Sequence, residues 1–519
     1  MSPHAQVPDS PKENAWSRGA MAVHEGNKSM ENGGFTTLHN KTFLQPTRPE
    51  ELHDMVCVGF GPASLAIAVA LHDALEKGPS PFLNTHQPKI AFLERQPKFA
   101  WHAGMQIPGA KMQISFIKDL ATMRNPRSEF TFVNYLHQND RLVQFANLST
   151  FLPKRIEYED YMRWCAGWFE DLVAYNEEVV DIHSHQKGDA VETFTVTSRN
   201  RSTGETSSRR AKHVVIAVGG RPNIPKSFPQ KHPRVIHSSQ FITAAPHIFS
   251  DPMKPVRIAV IGSGQSAAEI FHNLPSQFPN SKSYLLIRGA ALRPSDDSPF
   301  VNEIFDPDRV DDYYSQEPTI RAEAIALDKG TNYGVVRLEL LEEIYSGLYT
   351  QRIRYGSEEN WPQRLLNHRT VTSITELEDS SGRLCMRIRN DSSKYRAARS
   401  PAEETLDVDL VLVASGYKRD MHEDMLKSVR HLMPGGDEQG KKWTVGRNYR
   451  VHFEPGMVNE DAGVWLQGCN ENTHGLSDTL LSVLAHRGNE MVESIFGNQE
   501  DDLKTNGVNG YANALNELH

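Results

Sequence analysis

The chain has 519 residues, 38% of them hydrophobic and 23% charged, with a formal net charge of -9. That is enough apolar sequence for two or three domain cores, in a chain neither fibrous nor disordered overall. The basic residues are dispersed, which excludes an electrostatic footprint for nucleic acid, and no apolar run reaches about 18 residues, so no membrane span is expected. Four cysteines (Cys57, Cys165, Cys385, Cys469) without a Cys-x-x-Cys pair fit a reducing compartment and argue against a disulfide framework or a thiol redox centre. The 22 histidines show no metal-ligand spacing, so no metal site is expected.

In chain order, residues 1–50 are polar and lack the layout of a secretory signal; they are expected to form a flexible leader. The first element is a strand at Met55–Val58, a turn with Gly59 and Gly61, and an Ala/Leu-rich helix after Pro62. Glycines there let the backbone bend tightly and let a pyrophosphate approach the helix N-terminus, where free N–H groups favour anions. Ser64 takes the third fingerprint position, and taken singly the motif fits an ordinary tight turn as well. The next strand ends in Glu94, 33 residues past Gly61, with Gly78–Pro81 as the loop that explains the excess over the usual spacing. Glu94 is expected to bind ribose hydroxyls; the alternative is a solvated strand end.

From Trp101 to Leu136 aromatic, amide and charged residues mix without an apolar face, the pattern of a site lining. A helix is predicted over about 158–175, with Tyr161, Cys165, Trp168, Phe169 and Leu172 on its packing side. Val214–Val218, stopped by Gly219 and Gly220, is echoed by Leu410–Tyr417, and between them lies a second strand–turn–helix, Val256–Phe271, with Gly262, Gly264 and Ala267 in the fingerprint positions. Two dinucleotides follow from two cradles. The expected class is α/β, with two Rossmann-like dinucleotide-binding domains, the second inserted into the first; the alternative is two unrelated buried strands. The expected organisation is a first domain over 51–252, an insert over 253–403, the rest of the first domain over 404–497 and a flexible tail over 498–519. Within the insert a strand at Ser283–Ile287 is followed by Arg288, 24 residues past Gly264. A guanidinium there suits a 2′-phosphate, so NADPH is expected over NADH; the alternative is a surface arginine ending an edge strand. Val464–Gly468 reads as a further strand and Asn472–Leu481 as a polar turn running into a helix.

FAD in the first cradle and NADPH in the second make a flavoenzyme driven by a pyridine nucleotide. Disulfide reduction lacks its cysteine pair. Electron transfer to a carrier protein stays open, while a monooxygenase needs a further closed pocket, for which Trp101–Leu136 and Asp296–Asp306 are candidates.

Over about residues 50–497 the sequence resembles the N-hydroxylating flavoprotein monooxygenases, specifically the L-ornithine N5-monooxygenases of hydroxamate-siderophore pathways. The resemblance rests on Val58-Gly-Phe-Gly-Pro62, Met112–Leu120 with Arg124-Asn-Pro126, Phe132–Leu136, Gly262–Glu269, Asn332-Tyr333 and His474-Gly-Leu-Ser-Asp478. Related Baeyer–Villiger enzymes carry a Phe-x-Gly-x-x-x-His signature, but here His237 and Phe241 stand with Gln230 where the glycine belongs. Ala414-Ser-Gly-Tyr417 has Ser where the family has Thr.

The resemblance implies that Lys118 pairs with the carboxylate of the substrate, that Asn302, Asn332 and Ser477 complete the grip, and that Glu303, Ile304 and Phe305 lie beside it. It places FAD on Gly59, Gly61, Glu94, Trp101, His102, Val179, His474, Gly475 and Leu476, with Gln113 at the reactive edge of the flavin. NADPH falls on Gly262, Ser263, Gly264, Gln265, Ser266, Arg288 and Asn332. The implied reaction passes hydride from NADPH to FAD, adds O2 to give a C4a-hydroperoxyflavin, and transfers its terminal oxygen to the side-chain amine of L-ornithine. No side chain serves as nucleophile or acid–base group. Relatives further imply a cytoplasmic homotetramer. Hydroxylation of L-lysine or another diamine, and a non-catalytic flavin- or NADPH-sensing protein, are the alternatives. An alkylamine of pKa about 10.4 has to react uncharged, and holding it so near pH 8 opposes about 3 kcal/mol; a desolvated pocket without a carboxylate at the amine end does this. Lys118, after Phe116-Ile117, needs an anion; besides a substrate, Asp119 or another acid would serve.

Overall fold

Strands buried on both faces read as continuous apolar runs, and parallel pairing with helical crossovers is how such runs are covered. In the computed structural model, which describes residues 42–76, 87–188, 190–379, 381–391 and 401–497, such runs form the parallel parts of two large sheets. The predicted tail at 498–519 and the Gly78–Pro81 loop lie outside the described residues, as does the leader up to residue 41. Residues 42–50, expected to be flexible, pack down: Leu44 is buried in the first core and Pro46 bridges to Ile90.

In the first sheet β1 (Leu52–Val58) lies between β2 (Ile90–Glu94) and β6 (Thr206–Ile216), all parallel, with β3 (Val173–Tyr175) beyond β2. The N-terminal half of β6 pairs antiparallel with β5 (Ala190–Asn200), itself paired with β4 (Glu177–Lys187). Its C-terminal half pairs parallel with β17 (Gly463–Leu466). Alternate residues divide between two cores. Met55, Cys57, Phe92 and Val215 face the helices Pro62–Glu76, Arg155–Gly167 and Leu484–Phe496, while Val56, Val58, Leu93 and Ile216 face Val429, Leu432 and Trp443.

The chain leaves this sheet through β7 (Arg221–Pro222) and returns through β16 (Tyr417–Lys418), which pair with each other. Between them β8 (Val235–His237), β9 (Arg257–Ile261), β10 (Lys282–Leu286), β11 (Gln363–Leu366) and β15 (Leu410–Val413) form a parallel sheet in the order β11-β10-β9-β15-β8. Helix Gln265–Gln277 covers one face. The other is covered by the antiparallel β12 (Arg369–Glu376), β13 (Leu384–Asn390) and β14 (Glu403–Val408), through Val371, Ile374, Met386 and Ile388. Sheet membership therefore shifts both crossings from the expected 252 and 404. The strands at 235–237 and 410–413 belong to the second sheet, because their partners are chosen by long-range pairing that local sequence does not record.

A second correction concerns the helix predicted over 158–175. It runs Arg155–Gly167, and a 3-10 turn at Glu170–Leu172 turns the chain into β3. Its packing residues Tyr161, Cys165, Phe169 and Leu172 are buried, yet Val173 pairs with Phe92. The edge of β2 captures the last residues, which helical periodicity could not foresee.

A largely buried ion pair joins the two nucleotide folds. Arg155 donates through Nη1 to Glu269 Oε2 at 2.9 Å and through Nη2 to Oε1 at 2.8 Å, both side chains being largely buried, and through Nη1 to Met105 O at 2.7 Å. Gln265 donates to Glu269 at 2.9 Å and accepts from Arg337 N at 2.9 Å, while Arg337 Nη1 reaches back to Met112 O at 3.0 Å. Removing one partner of a buried pair leaves the other charge unpaired, so Glu269→Ala is expected to lower stability by about 3 kcal/mol. In urea unfolding, the double variant with Arg155→Ala should lose less than the sum of the two single variants.

Candidate functional site

Parallel α/β sheets bind ligands beyond the carboxyl ends of their strands. Val58, Ile216 and Leu466 end side by side, and the turns that follow them build the first half of the site. Gly59 has φ +91°, and a Cβ there would lie 2.7 Å from Ala217 O, so this glycine is required by the fold itself. Gly61 is different. A Cβ there would meet nothing within 4 Å, which leaves open room before the helix N-terminus. That room, and not the packing, is what fits a pyrophosphate. Glu94 is buried, not solvated: Oε2 accepts from Phe60 N at 2.7 Å and Oε1 from Gln96 N at 2.8 Å. Each oxygen keeps a lone pair for a further donor such as a ribose hydroxyl. Val179 is buried in β4.

The second cradle repeats the arrangement. Gly262 has φ +143° and would place a Cβ 2.5 Å from Ala414 O, while a Cβ on Gly264 would stand 3.4 Å from Gly334 Cα. The Asn332–Gly334 loop thus lies against the turn at Ser263 and Gly264. Gln265 opens the helix with Ser266 in its first turn, but the Gln265 side chain is spoken for by Glu269 and Arg337. Arg288 is exposed, makes no ion pair or hydrogen bond with the described residues, and follows β10, which is an interior strand and not an edge.

Between the cradles the Trp101–Leu136 block divides. Met112, Leu120, Phe130 and Phe132 enter the core, whereas Gln113 is exposed with an amide that bonds to none of the described residues. Trp101 packs edge-on to His102. His102 is exposed yet crowded by surrounding protein; that crowding, with the Arg155 and Arg419 cations, lowers its pKa to about 4. Lys118 Nζ lies 3.9 Å from Asp306 Oδ1. Asp119, the other acid considered, accepts instead from Ala121 N, Thr122 N, Phe132 N and Thr122 Oγ1, at 2.6–2.9 Å.

The turns carrying the remaining residues are tied together. Phe305, expected beside the substrate, is buried with Tyr313, Ile325 and Leu476, so its ring pins the Glu303–Phe305 turn onto the Leu476–Thr479 turn. Ile304 packs against the same cluster, Glu303 lies 3.7 Å from Arg309, and Asn302 Nδ2 donates to Asp297 O at 3.0 Å. Ser477 Oγ is buried without a hydrogen-bond partner, an orphan that a ligand group would satisfy. Beneath it Asp478 pairs with Arg487 at 3.1 Å and accepts from Asn470 N at 2.7 Å, fully buried. Tyr333 OH, next to Asn332, donates to Glu471 Oε2 at 2.7 Å and sits 3.0 Å from Thr479 Oγ1, closing the second cradle onto the same turn.

His474 does not offer its ring. It stacks on Tyr449 at 4.3 Å, with Nε2 at Arg447 O and Nδ1 at Thr473 Oγ1, and burial lowers its pKa. The adjoining Gly475, at φ +79°, lies so close to Tyr313 that a Cβ would stand 2.5 Å from the ring. Sequence reasoning gave Asp306 and Glu269 no role of their own, although each ends a stretch it singled out, and missed Arg155 and Glu471, since nothing local tells which charged residue a distant one will meet. Among the described residues no group of three or more His, Cys, Asp or Glu side chains could hold a metal ion, and no helix is long and apolar enough to cross a membrane.

A family model described as L-lysine 6-monooxygenase/L-ornithine 5-monooxygenase matches residues 51–419. The chain belongs to this family. It is 57% identical over 96% of its length to an L-ornithine N(5)-monooxygenase of Cochliobolus heterostrophus, and covers 96% of that protein. Among solved structures, the ornithine hydroxylase of Pseudomonas aeruginosa aligns with a TM-score of 0.76 at 34% identity, covering 86% of this chain and 99% of the other. The ornithine N-hydroxylase of Kutzneria sp. 744, in a structure titled with reduced FAD, NADP+ and L-ornithine, aligns at 0.74 and 34% identity over 86% and 99%. In this member of the lysine/ornithine monooxygenases the two cradle glycines should separate on substitution. Gly61→Ala is expected to melt near wild type but to lose bound flavin, read from its visible absorbance. Gly59→Ala should melt well below both.

Proposed function

We propose that this monooxygenase hydroxylates the side-chain amine of L-ornithine to N5-hydroxy-L-ornithine with FAD, NADPH and O2, as the first step toward a hydroxamate siderophore. The observation that carries the reading is that Lys118 faces Asp306, next in the chain to Phe305, whose ring packs with Leu476 beside the buried Ser477 hydroxyl, which has no hydrogen-bond partner among the described residues. When bound, reduced FAD with O2 supplies the oxygen atom and NADPH the electrons. The protein contributes orientation and exclusion of water.

Lys118 takes the α-carboxylate of the substrate, and Asn302, Asn332 and Ser477 direct its chain toward Gln113. Gln113, Asn332 and Ser477 are uncharged, so they orient an amine without favouring its protonated form. Glu94 and the Gly59–Gly61 turn hold FAD. Ser263, Ser266 and Arg288, which pairs with none of the described residues, would hold NADPH, with the guanidinium suited to its 2′-phosphate. All four cysteines are unpaired, in keeping with work in the cytosol, and the expected assembly on this reading is a homotetramer.

Purified FAD-loaded protein given NADPH and L-ornithine should consume O2 and form a hydroxylamine product. L-Lysine should promote NADPH oxidation without that product, and hydroxylation of lysine in preference to ornithine would overturn the substrate assignment. In Lys118→Ala, ornithine affinity should fall by at least about tenfold while NADPH still reduces the flavin. Loss of flavin binding instead would mean that Lys118 supports the flavin site and does not bind the substrate carboxylate.

A further inference from the structure

An amino acid presents a carboxylate and an ammonium on one carbon, and a site that reads this head group needs a counter-charge for each. Lys118 answers the carboxylate, while Asn302, Asn332 and Ser477 are neutral. Most acids around the Pro299–Phe305 turns have another partner. Asp296 is capped by Ser298 N at 3.0 Å, Asp297 by Ser295 Oγ at 3.3 Å, and Glu303 faces Arg309 at 3.7 Å. Asp328 accepts from Tyr313 OH at 2.6 Å. Asp306 points at Lys118, at 3.9 Å, beyond hydrogen-bond reach, with half of its side chain in solvent. Such a pair is held weakly.

From this geometry, and resting on the reading of the site as an amino-acid N-hydroxylase, we infer that Asp306 is the counter-ion of the substrate's α-ammonium, and that its contact with Lys118 is the pair the incoming head group splits. The exchange conserves charge: one loose ion pair and one zwitterion become two pairs, Lys118 with carboxylate and Asp306 with ammonium. A simple diamine would leave Lys118 facing a cation, and an amino acid lacking its α-amine would leave Asp306 facing a carboxylate. Because Phe305 is anchored against Leu476, Asp306 stays at the head-group end. It is thereby kept from the distal amine, which has to remain uncharged.

The test is calorimetric binding of L-ornithine and of 5-aminopentanoic acid, which lacks only the α-amine, to FAD-loaded protein with NADP+. The wild type should prefer ornithine by about tenfold or more. Asp306→Asn should lose that preference, with ornithine weakened and 5-aminopentanoate unchanged or improved, and Asp306→Glu should restore part of it. Equal weakening of both ligands in Asp306→Asn, or an undiminished preference, overturns the inference. A wild type that binds both ligands equally overturns it whether or not the variants fold. Hydroxylamine formation is scored separately. A wild type that binds ornithine with this preference but forms no hydroxylamine refutes the reaction and leaves the head-group recognition standing.

Discussion

The fork of Arg155 on Glu269 is the constraint on which the site depends. Lys118 and Gln113 come from the first nucleotide fold, Asn302, Asp306 and Asn332 from the second, and Ser477 from the returning chain, so no one fold holds the set. A guanidinium gripping a carboxylate through two parallel bonds resists rotation as well as separation. With Gln265 and Arg337 extending the network to Met112, it ties the helix of the second cradle to the first fold. A buried pair of this kind adds little net stability, whereas losing one partner strands the other charge.

A second layer of fixation acts nearer the chemistry. Phe305, Tyr313 and Leu476 lock two short turns together, and the buried Asp478–Arg487 pair braces the turn from below. Neither turn has regular structure long enough to hold its own shape, so tertiary contacts must do it. The result is that polar groups such as Ser477 Oγ are left without protein partners in a rigid frame. An unsatisfied buried hydroxyl is costly in the empty protein and favourable once a ligand reaches it.

Much of the fold was legible in the chain because glycine requirements and apolar periodicity are local. The turns at Gly59 and Gly262, the strands that feed them and the acid at Glu94 follow from backbone sterics and spacing within short stretches of chain. The misreadings share a cause. The helix ending at Gly167, the strand at 173–175 and the sheet membership of 235–237 and 410–413 are each decided by which edge a segment meets after collapse. The rings of His474 and Phe305, read as lining residues, pack against Tyr449 and against Tyr313 and Leu476, which local pattern could not show. A motif says that a side chain matters without saying which way it points.

By itself, then, the sequence determined the α/β class and the two glycine turns that follow its strands, and offered the cation at 118 and the guanidinium at 288 as candidate ligands. Each depends on residues within one strand–turn–helix unit. Only the tertiary structure decided that Lys118 faces Asp306 and not Asp119, that Arg155 joins Glu269, and that Tyr333 closes onto the turn bearing Ser477. Those contacts join segments more than 100 residues apart, and charge complementarity between distant segments leaves no mark on local pattern until the chain has brought them together.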